Sequence, residues 1–109
     1  MIAEEVQGLV RDQSTGNLTA VNGHRITLKD ALVTPRIISV VSRRVVGGRI
    51  KDEILKVWLV GQESRADGYK IVLREDGSQF GLAAPGFPQY EFLSLVGWYG
   101  DLMTTFRGM

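Results

Sequence analysis

The sequence predicts an α+β fold: an antiparallel sheet of six or seven strands, a meander able to curl toward a barrel, with one C-terminal helix packed on it. Three observations carry this. Turn dipeptides separate short apolar runs, the apolar period switches from strand-like to helical near Pro88, and the composition is that of a globular chain. The 109 residues are 44% hydrophobic and 23% charged, which suits one domain over 1–109 with a single core.

The first hairpin signal is Asn22-Gly23, between Leu18–Val21 and His24–Leu28. Asn-Gly accepts the positive φ angles of a type I′ turn, whose twist suits paired strands. The second is Gly47-Gly48. It sets Val45 opposite Ile50, Val41 opposite Ile54 and Ile37 opposite Trp58. On the other face it sets Val40 opposite Leu55 and Ile38 opposite Val57. The base of this hairpin is apolar on both faces, so it should be central or covered twice. Its tip pairs Arg43 with Asp52 favourably and Arg44 with Lys51 unfavourably, as expected of an arm reaching into solvent. A helix over residues 49–61 is the alternative for the second half, because Ile50, Ile54, Val57 and Trp58 also fit a helical stripe. The β-branched content favours strand.

Asp76-Gly77 is the third turn. It places Leu73 opposite Phe80, Ile71 opposite Leu82 and Tyr69 opposite Ala84 on the buried face. Lys70, Val72 and Arg74 then face Gln79, Gly81 and Ala83 on a largely wet side. Beyond Pro85 and Pro88, the residues Phe92, Leu95, Val96, Tyr99, Leu102, Met103 and Phe106 recur at helical spacing. They predict a helix from about Pro88 to Arg107, with Glu91 and Arg107 suiting its two dipole ends. Gly97 and Gly100 leave a second reading open, a strand over Phe92–Trp98 followed by a shorter helix. The long helix would be apolar most of the way round. Its surplus face points to a homo-oligomer, with Leu93, Val96, Trp98 and Met103 as interface candidates.

The chain carries no cysteine, so disulfides, thiolate nucleophiles and cysteine metal sites are excluded. Glu4 and Glu5 stand where a signal peptide would carry cations, and no apolar run reaches the length of a membrane span. These readings lead to the expectation of a cytoplasmic protein with no membrane partner. No catalytic constellation is present. His24 is the only histidine, expected to face solvent beside its turn. The paired acids Glu4-Glu5, Asp52-Glu53 and Glu75-Asp76 alternate faces on a strand and make no acid–base couple. No phosphate-cradling glycine loop, calcium loop or metal-ligand spacing occurs, so neither cofactor nor metal is expected. Trp58, Trp98, Tyr90 and Tyr99 read as core or interface aromatics.

The net charge of +1 conceals one basic segment, Arg36 to Lys56, with six basic and two acidic residues. Arg43, Arg44, Arg49 and Lys51 at the hairpin tip are the candidate contacts for nucleic acid or a phosphate ligand. The plainer reading is a solubilising tip that discourages edge pairing. Single-strand binders interleave such charge with exposed aromatics, and this segment has only Trp58, at its buried end. The hexapeptide Asp76-Gly77-Ser78-Gln79-Phe80-Gly81 resembles the Asp-x-Ser-x-x-Gly motif of PilZ domains, small barrels that bind cyclic di-GMP. That family also uses an Arg-x-x-x-Arg element. Here Arg44 and Arg49 are separated by four residues instead of three, so the resemblance covers the hexapeptide alone. The leading expectation is a non-enzymatic interaction module that self-associates.

Overall fold

The computed structural model describes residues 1–65, 67–86 and 92–109. In chain order these form α1 (Ala3–Ser14), α2 (Leu28–Ala31), β1 (Leu32–Val46), β2 (Arg49–Gln62), β3 (Lys70–Arg74), β4 (Phe80–Ala84), β5 (Leu93–Gly100) and α3 (Leu102–Arg107). The α+β class stands, with a C-terminal helix. The expected six or seven antiparallel strands, able to curl toward a barrel, are corrected to five strands in a closed mixed barrel, β1-β2-β3-β4-β5. Four seams are antiparallel; the fifth is a short parallel one, with Val40 beside Leu93 and Val41 beside Ser94.

The β1–β2 hairpin has the register read from its alternation, from Ile37 opposite Trp58 to Val46 opposite Arg49. Gly47 and Gly48 take φ of 57° and 77°, the left-handed pair that a two-residue turn requires. Residues 49–61 are therefore strand and not helix. The β3–β4 register also follows the expectation, Leu73 opposite Phe80 and Ile71 opposite Leu82. The expected wet face does not. Val72, Gly81 and Ala83 are buried, because closure turns that face toward the barrel axis.

Two cores result. Inside the barrel, Val40, Val57, Val72 and Ala83 pack with Ile38, Leu55, Leu93, Leu95 and Trp98. Small side chains are needed on this narrow axis. A Cβ on Gly81 would lie 2.5 Å from the Gly97 carbonyl oxygen and 2.6 Å from the Trp98 ring. Outside, Trp58, Val60, Ile71, Leu73, Phe80 and Leu82 are covered by Val6 and Val10 of α1, by Leu28, and by Leu102, Phe106 and Met109. This outer layer is the larger hydrophobic term.

Three expectations change here. Residues 18–28 do not make a hairpin; Val21 and Thr27 share one isolated bridge. The Asn22 side chain organises the loop. Its Oδ1 accepts from the His24 and Ile26 N–H groups at 3.0 and 3.2 Å, and its Nδ2 donates to the Phe106 carbonyl at 3.5 Å. The positive φ falls on Arg25, at 62°. Thr27 then caps α2, accepting from the Asp30 N–H at 3.2 Å.

Helix α1 was not anticipated. Glu5 accepts from the Ile2 N–H at 3.0 Å and sits at the positive dipole end. Gln13, in its last turn, accepts from the Leu102 N–H at 2.8 Å and so joins α1 to the start of α3.

The long C-terminal helix is corrected to β5 plus the short α3, which is the second reading left open by Gly97 and Gly100. Asp101 starts α3 by accepting from the Thr104 N–H at 2.7 Å. Leu102, Phe106 and Met109 are buried in this chain's own outer core, which removes the surplus helix face. The expected helix start at Pro88, with Glu91, and the aromatic Tyr90 lie outside the described residues.

Candidate functional site: the β1–β2 arm and the barrel mouth

β3 pairs with β2 only from Val57 onward, and β5 meets β1 only at Val40 and Val41. Among the described residues, the segment from Ser42 to Lys56 therefore has no second strand on either side and stands off the barrel as an arm. The molecule measures 44 × 29 × 22 Å, elongated as such an arm requires.

Strand alternation gives the arm two unlike faces. One carries Val41, Arg43, Val45, Ile50, Asp52 and Ile54. It is apolar and electrically balanced. Val45 is 73% exposed, Ile50 68% and Ile54 56%, while Arg43 donates twice to Asp52, at 2.7 and 3.0 Å. The other face carries Ser42, Arg44, Val46, Arg49, Lys51 and Glu53, three cations and one acid. Arg44 stands opposite Lys51 as expected, and it turns from that like charge to Glu53 at 3.2 Å. Arg49 and Lys51 are exposed and make no ion pair among the described residues. The four basic residues named from sequence thus divide, with Arg43 on the balanced face and the others on the cationic one.

The cationic face continues inward to Val40 and Leu55 and so overhangs one mouth of the barrel. A cleft of about 610 Å³ opens there, lined in part by Ser42, Arg44, Glu53, Arg74, Asp76 and Trp98. The Arg74 guanidinium lies over the Trp98 ring, 5.6 Å from its centroid. Asp76 is engaged locally. Its Oδ1 accepts from the Ser78 hydroxyl at 2.6 Å and the Ser78 N–H at 2.9 Å. Those bonds, helped by Arg74, hold its carboxyl below the ordinary carboxylate value. In the PilZ-like hexapeptide, Asp76 and Ser78 thus bond to each other as turn residues.

His24 is exposed beside its loop, as expected, and it is also paired. Its Nδ1 is 2.8 Å from Oε1 of the buried Glu63, and the Tyr69 ring stacks at 6.0 Å. A carboxylate that orients an imidazole is two thirds of a relay. The shallow hollow around it offers Arg65, Asp67, Gly68 and Tyr69, with no serine, threonine or cysteine among its described lining residues. No group of three or more potential metal ligands occurs among the described residues.

Of the interface candidates, Leu93 and Trp98 pack in the barrel core and Met103 against the outer core; only Val96 is exposed. The sequence marks Val45 and Ile50 as strand residues on an arm reaching into solvent, but it puts Ile54, nearer the base, under cover, whereas Ile54 is exposed. Their exposure depends on where the neighbouring strands end. No helix among the described residues is long and apolar enough to cross a membrane. No protein-family model, curated protein or solved structure matches the chain.

Proposed function

We propose that the chain is a non-enzymatic binding module that pairs with a second copy of itself through the balanced face of the arm. The observation that carries this reading is the exposure of Val45, Ile50 and Ile54 on one face whose charges cancel internally. Aliphatic side chains left in water on a projecting element are stabilised by burial against a partner, at about 25 cal/mol per Å² of apolar surface. A face with no net charge can meet its own copy about a two-fold axis without repulsion. The open strand edges of the arm support the same reading, since an unpaired edge is a template for another strand. The contact is small, so a weak, concentration-dependent dimer is expected.

Sedimentation velocity tests this over a wide range of protein concentration. The expected result is a monomer–dimer equilibrium that disappears in the neutral double variant Val45→Gln, Ile50→Gln, with the circular dichroism spectrum unchanged. A wild-type chain that stays monomeric up to the highest soluble concentration overturns the reading.

A further inference from the structure

We infer that the opposite face of the arm, together with the barrel mouth, is a binding site for a single-stranded nucleic acid. Arg44, Arg49 and Lys51 line that face, and Arg49 to Leu55 runs about 20 Å at about 3.4 Å per residue. A row of cations that leads into a cleft is the electrostatic half of a single-strand groove. The sequence segment lacks the other half, an accessible aromatic or planar surface for a base. The fold supplies it from elsewhere. Trp98, on β5, is half-buried in the same cleft, with the Arg74 guanidinium over its ring at 5.6 Å from the centroid. One side of Trp98 packs close to Gly81. A base entering the mouth therefore stacks on the planar Arg74 guanidinium, which sits over that ring. Backbone phosphates meet Lys51 and Arg49, and they compete with Glu53 for Arg44.

A duplex is disfavoured by this arrangement. Its bases are already stacked and cannot reach the Arg74 plane, so only its phosphates could be contacted. An anionic lipid surface would engage the cations but has nothing to stack at the mouth. The inference stands independently of self-association, because it uses the other face.

The test is titration of the wild-type chain with a thymidine oligonucleotide of about twelve nucleotides, read by tryptophan emission and by anisotropy of a labelled strand. The same titration is made with a duplex of equal length and with phosphatidylserine vesicles. The expected result is salt-dependent binding of the single strand with a change in tryptophan emission. Arg49→Ala with Lys51→Ala should weaken it about tenfold and reduce the salt slope by about 1.4. Arg74→Lys keeps the charge and removes the plane, so it should lose affinity several-fold with little change in slope. Glu53→Gln should bind more tightly by freeing Arg44. Val45→Gln with Ile50→Gln should bind as the wild type does, which separates this site from dimer formation. Three outcomes overturn the inference: no binding of the single strand, equal or tighter binding of the duplex or vesicles, or affinities unchanged in both the Arg49/Lys51 and the Arg74 variants.

Discussion

Gly81 shows how a single missing Cβ permits the barrel to close. Its neighbours are a carbonyl oxygen and an aromatic ring, neither of which can retreat without opening the β4–β5 seam. Gly81→Ala should therefore destabilise the chain by about 1–3 kcal/mol, measured by urea unfolding. Sequence alternation puts the residue on the wet face, because Lys70, Arg74 and Gln79 share it. Those three sit at strand ends, where long side chains reach water, while Val72, Gly81 and Ala83 between them point inward. Small uncharged residues at the centre of a strand pair were the available signal. Asn22 misled in the other direction. The backbone preference of Asn-Gly predicts a hairpin, but the side-chain amide decides the loop by collecting two N–H groups and a carbonyl.

Among the elements, α3 depends most on one carboxylate. Asp101 accepts from Thr104, and that bond, with Arg107 nearby, holds its carboxyl below the ordinary value. Asp76 is lowered in the same way by Ser78. A folded-state pKa below the unfolded one means a stabilising contribution that is complete above the unfolded value, about 3.9. It is lost as pH falls through the folded values. The urea midpoint should therefore be flat near neutrality and decline below about pH 4. Asp101→Asn retains a capping oxygen and abolishes that titration, so its decline on the acid side should be shallower. Asp101→Ala removes the cap at every pH, so its urea midpoint should lie below that of the wild type across the whole range.

The arm was the most legible element, because every one of its pairs follows from alternation about a two-glycine turn. Helix α1 was the least legible. Val6 and Val10 alone of its residues are buried and apolar, too few to stand out as a stripe. β5 was obscured because Leu95, Tyr99 and Leu102 happen to fit a helical period across a strand and the turn after it.

For the whole molecule, the division between barrel and arm predicts that the arm is dispensable for folding. None of the residues from Arg43 to Asp52 belongs to either core. Replacing residues 43–52 by Asn-Gly should leave the thermal midpoint within about 5 °C of wild type. It should abolish both self-association and single-strand binding, read by sedimentation and anisotropy. The candidate site was legible only in its cations. Burial, exposure and the arrival of Trp98 at the mouth are properties of closure, and closure depends on contacts between β1 and β5 that no local pattern announces.

That closure rests on very little. Val40 and Val41 meet Leu93 and Ser94 through two residue pairs, across more than fifty intervening residues. Linking such distant segments carries a large entropic penalty, repaid by few hydrogen bonds, so this junction should assemble after the β2–β3–β4 meander is in place. The order also applies in reverse. Transient separation at the junction would expose Val40, Leu93 and Trp98 while the outer core over Val60, Ile71, Leu73 and Leu82 stayed intact. Amide exchange at Val41 and Ser94 should accordingly outpace exchange at Val72 and Leu82, and the barrel interior would then admit solvent by way of its first and last staves.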